Sequence, residues 1–166
     1  MELINSFSIH KQIYLKTTSS TNAFAHNSIA KSNPKRNYCV YSYNQTAGKG
    51  QIGRYWYNGK DKNLALSLVL SFSHLKVADQ FLLNIATSLG VISFLNEIMP
   101  DQALSIKWPN DIYVGDKKIA GILIQNQLRS HQITQTIIGI GLNVNEINFP
   151  DDIPNPVSIF QALNKT

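Results

Sequence analysis

The segment GKGQIGRYWYNGKDKNLALSLVL, residues 48–70, decides the fold, because it shows which element follows a glycine-rich loop. Its first six residues have the spacing G-x-G-x-x-G, which binds a dinucleotide where it joins a strand to a helix. Residues 38–43, just before it, have the aromatic and β-branched composition of a strand. Residues 54–63 have no apolar helical period, and residues 64–70 are again typical of a strand. The loop therefore joins two strands. Residues 68–75 also lack the ribose-binding acid, so a dinucleotide site is excluded.

The charges around this loop indicate an anionic ligand. Lys49, Arg54, Lys60 and Lys62 stand against a single acid, Asp61. Glycines let backbone N–H groups approach an anion, and nearby cations neutralise its charge. The segment therefore predicts binding of a phosphorylated molecule, or of one that becomes phosphorylated.

Patterns on either side of the loop predict an α+β domain. Strand patterns cover residues 12–16, 38–43, 64–72, 104–108, 112–114, 119–128 and 133–144. Helix patterns cover residues 23–30, 77–99 and 157–163. In the long helix the apolar positions are 81, 85, 89, 92 and 95, and Pro100 ends it. Short turns between successive strands favour antiparallel pairing. We expect a mixed, mainly antiparallel sheet with helices packed on one face.

Bulk properties narrow the class of protein. The chain has 166 residues, 43% of them hydrophobic and 15% charged, which suits one globular domain. The net charge is +5, but there is no Lys/Arg run, zinc-ligand spacing or RNA-binding motif, so no nucleic-acid partner is expected. We expect no membrane span, because Asp79, Asn84 and Glu97 interrupt the most apolar stretch. The start of the chain does not read as a signal peptide, and Cys39 is the only cysteine, so a cytoplasmic protein is expected.

Four motifs resemble biotin protein ligases, also called biotin acetyl-CoA-carboxylase ligases. They are SSTN (19–22), QTAGKGQIGRYW (45–56), KWPNDIYVGDKKIAGIL (107–123) and IIGIGLNVN (137–145), and they occur in the family's order and with similar spacing. The resemblance covers residues 14–163. It implies the fold shared by these ligases and class II aminoacyl-tRNA synthetases. It also implies the activity biotin--[acetyl-CoA-carboxylase] ligase (EC 6.3.4.15), in which biotin and ATP, with Mg²⁺, give biotinyl-5'-AMP. Biotin then passes to a lysine of a biotin carboxyl carrier domain.

The resemblance also implies roles for individual residues. Lys107 and Arg54 would be catalytic, with Lys107 between the biotin carboxylate and the α-phosphate. Biotin would be bound by Ser20, Thr21, Asn22, Gln45, Gly48, Lys49, Gly50, Lys107, Gly121, Gly139 and Gly141. ATP and the adenylate would be bound by Lys49, Gly50, Gln51, Arg54, Trp56, Asn110, Lys118 and Asn143, and Asp111 would help to hold magnesium.

Each of these residue types also has a purely structural interpretation. Lys107 suits a solvated strand end, and Ser20 or Thr21 suits a helix cap. Gly139 and Gly141 suit a bulge or close strand packing, and Trp56 suits a core. Turns explain the remaining two: Asn143 fits the turn at a strand end, and Asp111 fits a turn after asparagine.

The chain departs from the family pattern in ways that leave alternatives open. Lys49 and Gln51 stand where many relatives have arginine, so weaker retention of the adenylate is one consequence. We expect residues 1–166 to be a single catalytic domain, C-terminally incomplete and without an N-terminal DNA-binding domain. A lipoate or octanoate protein ligase or transferase of the same fold remains an alternative, as does a non-catalytic biotin-binding fragment. The strand pattern at 133–144 offers a sheet edge for a homodimer.

Overall fold

The computed structural model describes residues 8–32, 36–51 and 53–164. Part of the loop expected at 32–37, and Ile52 of the glycine-rich loop, lie outside the described residues. Helix and strand bounds agree with the sequence patterns to within a few residues, and two short strands in the glycine-rich loop are additional. The elements are β1 (Lys11–Tyr14), α1 (Thr21–Ser32), β2 (Tyr38–Ser42), β3 (Gly48–Lys49), β4 (Tyr55–Trp56), β5 (Leu64–Lys76), α2 (Gln80–Ile98, after a 3-10 turn at Val77–Asp79), β6 (Leu104–Lys107), β7 (Asp111–Val114), β8 (Lys117–Arg129), β9 (Gln132–Leu142) and α3 (Ile159–Leu163).

Seven strands form one sheet in the order β1-β2-β5-β9-β8-β7-β6, and β3 pairs with β4 as a separate hairpin. Only the β1–β2 pair of the sheet is parallel. The expected α+β class and mainly antiparallel sheet are confirmed. The expected dimer edge is wrong, because β9 lies between β5 and β8 and has ladder partners on both sides. The outer strands of the described sheet are β1 and β6.

The two long helices pack on opposite faces of the sheet, which corrects the expectation that the helices share one face. Successive residues of a strand point to opposite faces. Val69 and Ile137 pack with Ala25 and Ile29 of α1, whereas their chain neighbours Leu68 and Ile138 pack with the α2 cluster. Both faces of the central strands are therefore buried, which is why β5 and β9 are apolar at successive positions.

Helix α2 buries only part of the stripe that its periodicity indicated, namely Leu95 and, in part, Ile92. Ser88, Val91 and Leu95 are buried against the sheet, while Phe81, Ile85 and Leu89 are 38%, 41% and 55% exposed. The helix is apolar on more than one side, so its 3.6-residue period alone could not identify the packed face.

The same composition corrects the expectation about membrane segments. The segment Val77–Ile98 is long and apolar enough to cross a bilayer by length and composition. Asp79 and Glu97 lie near its ends, so they do not break the apolar stretch as the sequence analysis supposed. A helix that packs on a sheet can have the same length and composition, so this feature alone assigns no membrane association.

Candidate active site

Small residues on three adjacent strands create a depression on the α1 face of the sheet. In register, Ser67 of β5 faces Gly139 of β9, and Ala65 faces Gly141. Gly141 in turn faces Gly121 of β8. A cavity of about 500 Å³ borders Ala65 and the three glycines. Its lining includes Ser20, Thr21, Asn22, Gln45, Lys49, Gly50, Gln51, Arg54, Trp56, Lys107, Asn110, Asp111, Lys118, Gly121, Gly139 and Gly141.

The cavity brings together sixteen of the eighteen residues that the sequence nominated for the site. The exceptions are Gly48, which lies behind the lining, and Asn143, which lines a neighbouring cavity. A Cβ on Gly48 would meet the Gln45 Nε2 atom and the Trp56 carbonyl oxygen. Gly48 therefore allows close packing of the hairpin rather than contact with a ligand.

The N-terminus of α1 forms one end of the cavity. The Ser20 hydroxyl accepts a hydrogen bond from the Ala23 N–H at 3.4 Å. Ser20 therefore caps the helix, in agreement with its structural interpretation. The Thr21 N–H donates to Gln45 Oε1 at 2.9 Å, and the Thr21 hydroxyl lies 3.3 Å from the same oxygen. With its oxygen engaged in this way, the side chain of Gln45 has its Nε2 donor, which lies beside Gly48, left for another partner.

Asn22 is held in place by the sheet beneath it. Its Nδ2 donates to the Leu123 carbonyl at 3.3 Å and to Gln125 Oε1 at 3.1 Å, and its Oδ1 accepts from the Ser67 hydroxyl at 2.6 Å. Gly139 makes room for it, since a Cβ there would overlap the Asn22 carboxamide. Both Asn22 donors are used internally, so we interpret Asn22 as supporting the site rather than contacting a ligand.

Trp56 lies flat over the paired glycines in the middle of the floor. A Cβ on Gly141 would fall among the atoms of the indole, and one on Gly121 would lie 2.8 Å from Cζ3. Among the residues that the structure describes, the buried Trp56 Nε1 has no hydrogen-bond partner. The lack of side chains at these two glycines therefore allows Trp56 to pack closely against the sheet. This agrees with the interpretation of Gly141 as a site of close packing.

An ion pair between Lys118 and Asp111 lies beside Trp56. The Lys118 ammonium lies 5.5 Å from the centre of a Trp56 ring and 2.7 Å from Asp111 Oδ1. Both side chains of the ion pair are largely buried. Lys118 thus pairs with one oxygen of the Asp111 carboxylate. Among the described residues no group of three or more His, Cys, Asp or Glu side chains could hold a metal. The expected role of Asp111 in holding magnesium stays a prediction.

Three further cations, Lys49, Arg54 and Lys107, line the cavity from the glycine-rich loop and the end of β6. The Lys107 ammonium lies 5.3 Å from the centre of the Tyr113 ring, a cation–π contact that directs the side chain. None of the three has a carboxylate within ion-pair distance in the described part of the chain. Their charges are therefore available to an anion in the cavity.

A second cavity of about 410 Å³ adjoins the first and shares Arg54, Trp56 and Lys118 with it. Asn143 lines it, but the Asn143 Nδ2 donates to the Val157 carbonyl at 3.1 Å and lies 3.4 Å from the Lys118 carbonyl. Asn110 likewise ties a turn to β8, through its Nδ2 and the Ile122 carbonyl at 2.8 Å. Both asparagines fix backbone at the rim of the site.

Sequence reasoning missed Ser67, Tyr113 and Tyr55. The alternation within β5 placed Ser67 on one face of a strand, and a serine amid leucines and valine was the available signal. Tyr55 and Tyr113 line both cavities, and no local pattern distinguished them from core tyrosines.

Comparison with known proteins gives a consistent result. The model of the biotin/lipoate A/B protein ligase family matches residues 14–143. The bifunctional ligase/repressor BirA of Bacillus subtilis is 34% identical over 156 residues, which cover 92% of this chain and 47% of the relative. The biotin protein ligase of Leishmania major in complex with biotin superposes with a TM-score of 0.77 at 26% identity, covering 92% of this chain and 64% of that one.

A biotin protein ligase from Aquifex aeolicus in complex with biotin and ATP superposes with a TM-score of 0.74 at 28% identity, covering 95% of this chain and 62% of that one. The chain thus spans about half the length of the curated relative and less than two thirds of either solved structure.

Proposed function

The chain belongs to the biotin/lipoate A/B protein ligase family, and from that premise we propose that it activates biotin with ATP as biotinyl-5'-AMP. The observation that carries the proposal is the single cavity in which the α1 terminus, the glycine-rich loop and Lys107 meet. Relatives in complex with biotin, and with biotin and ATP, support the choice of substrates.

Biotin would bind at the end of the cavity formed by Ser20, Thr21 and Gln45. Gln45 offers a donor there because its oxygen accepts from Thr21, and a donor suits the carbonyl oxygen of the ureido ring. The carboxylate tail would run past Trp56, which covers Gly121 and Gly141, toward Lys107. The triphosphate would lie along the glycine-rich loop, with Lys49 and Arg54 beside it.

The reaction joins two anions, so the site must lower their mutual repulsion. A carboxylate oxygen of biotin attacks the α-phosphorus of ATP, the bond from that phosphorus to the bridging oxygen breaks, and pyrophosphate leaves. Lys107, Lys49 and Arg54 supply positive charge to the five-coordinate phosphorus and to the leaving pyrophosphate. Mg²⁺ would arrive bound to the nucleotide phosphates.

In the second step the amine of a carrier-domain lysine attacks the acyl carbon, and AMP leaves. Trp56 and the Lys118–Asp111 pair form the wall between the two cavities. This wall would shield the water-sensitive anhydride until the acceptor arrives. A biotin carboxyl carrier domain is the proposed partner. The proposed compartment is the cytoplasm, and Cys39 is buried as a free thiol.

One assay tests this function and separates it from its alternatives. The protein is mixed with biotin, ATP and magnesium, pyrophosphate is followed, and the acyl-adenylate is sought by mass. Pyrophosphate release with biotin, but not with octanoate or lipoate, is the expected result. Release with the other two acids alone would indicate a lipoate-type ligase, and binding of biotin without release would indicate a non-catalytic fragment. Labelling of an added carrier domain tests the second step.

A further inference from the structure

We propose that Asp152 is a positioning residue, which acts through the Tyr55 hydroxyl to hold the glycine-rich hairpin against the loop at residues 149–156. This loop is called the strap below. The proposal rests on the proposed function, because it assigns the strap to the retention of ATP and of the acyl-adenylate.

The strap is anchored at both ends, to Lys62 before β5 and to Lys118 of β8. Three residues before the strap begins, Glu146 is buried. It accepts hydrogen bonds from the Lys62 ammonium at 3.2 Å and from two backbone N–H groups of its own turn. At its other end, the Lys118 N–H donates to the Asn155 carbonyl at 2.7 Å, and the Val157 N–H donates to the Lys118 carbonyl at 2.9 Å. These anchors set the path of the strap beside Lys118 and Trp56.

Between the anchors, two side-chain contacts join the strap to β4 and the residue after it. The Tyr55 hydroxyl donates to Asp152 Oδ2 at 2.8 Å. The rings of Tyr57 and Phe149 meet edge to face, with centroids 6.3 Å apart. Since Tyr55 lines both cavities and Asp152 lines the second, the hydrogen bond spans their rim.

The hairpin that Tyr55 belongs to carries Lys49 and Arg54, the cations proposed for the triphosphate. Its connection is glycine-rich, with Gly53 at φ 77°, so its position depends on contacts at its base. The clasp between Tyr55 and Asp152 supplies such a contact on the ATP side. The residues proposed for biotin, Ser20, Thr21 and Gln45, lie outside the second cavity.

The clasp persists over the working pH range. The hydrogen bond to the Asp152 carboxylate raises the pKa of the Tyr55 phenol above its ordinary value of 10.0. Below that value the phenol keeps its proton and remains a donor. Ionisation of the phenol therefore does not break the clasp at neutral pH.

The test compares Y55F, D152A and the double variant with D151A, which removes an equal charge from the neighbouring exposed position. In the biotin-dependent pyrophosphate assay, each clasp variant should raise KM for ATP about two- to fivefold, the range of one exposed hydrogen bond. KM for biotin should stay unchanged. D152N keeps an acceptor oxygen, so its KM for ATP should stay close to that of the wild type. The double variant should have a KM for ATP no higher than that of either single variant.

The proposal would be overturned if the increases in KM for ATP caused by Y55F and D152A added up in the double variant. It would also be overturned if D151A raised KM for ATP by the same amount. A second readout needs no activity: hydrogen exchange of the strap in the ligand-free protein should quicken in Y55F and D152A but not in D151A. If the wild type made no adenylate, the proposed function would be wrong. The hydrogen-exchange measurement on the ligand-free protein would still test whether the clasp holds the strap. Unchanged exchange in Y55F and D152A would then refute it.

Discussion

The substitution Gly141→Ala tests the structural centre of the site, the close approach of Trp56 to the sheet. A Cβ at this position would lie 2.7 Å from the Trp56 Cδ2 atom and nearer still to two other indole atoms. Carbon atoms in contact are separated by about 3.5–4.0 Å, and the nearest indole carbon is closer than Cδ2, so the indole would have to withdraw by more than about 1 Å. The backbone of Trp56 is paired with Gly48 and gives little freedom. We expect a loss of about 1–3 kcal/mol in the free energy of unfolding, as in other overpacked sites.

Urea denaturation measures the loss of stability, and tryptophan fluorescence measures the displacement. Trp108 is 72% exposed and would obscure the signal, so both are measured in a W108F background. The Trp56 emission should shift to longer wavelength as its ring leaves the glycine floor. KM for ATP should also rise, because the ring moves into the wall between the cavities.

Gly90→Ala is the matched control. Gly90 is exposed on α2, and its Cβ would meet nothing within 4 Å. Alanine is the better helix former there by about 0.8–1.0 kcal/mol, so this variant should be neutral or stabilised. If G141A and G90A had the same stability and the same Trp56 emission, the packing described for Trp56 would be wrong.

Three further predictions concern the support of the site. Gly59→Ala should cost about 1–3 kcal/mol in a denaturation experiment, because its Cβ would collide with the buried Glu146 carboxylate; an unchanged midpoint would contradict that contact. Ser67→Ala should weaken biotin binding measured by calorimetry, because Ser67 holds Asn22 and contacts Thr21; equal affinity would show that this network is not needed. Burial raises the pKa of the Cys39 thiol and of the Tyr38 phenol above 9.0 and 10.0. The folded state thus holds both protons more tightly than the unfolded chain, and stability should fall as the pH rises through that alkaline range. A flat profile there would argue against their burial.

Sequence patterns predicted the elements well and their arrangement less well. Strand alternation and the glycine-rich loop fixed the α+β class, because period-two patterns reflect burial directly. The burial of both sheet faces was not predictable from α1 and α2, since helical periodicity does not say which face of a sheet a helix covers. The central place of β9 depends on long-range pairing, which no local pattern encodes.

The site shows the same division. The resemblance to biotin protein ligases nominated the residues that line the cavity, such as Gln45 and Lys107, which loops and strand ends bring together. It did not separate residues that face the cavity from those that hold them. Gly139 and Gly141 make room for Asn22 and Trp56, and Asp111 is paired with Lys118. Such roles depend on side-chain contacts across strands and were accessible only from the structure.

The most direct test of the central claim, that cations around one cavity join two acids, is the rate of biotin-dependent pyrophosphate release by Lys107→Ala. Loss of one charge aimed at the reacting phosphate should slow the reaction by about 100- to 1,000-fold. Biotin binding by calorimetry and the unfolding midpoint should stay near those of the control Lys117→Ala, an exposed lysine on the next hairpin. A K107A protein that released pyrophosphate at the rate of the wild type would contradict the account.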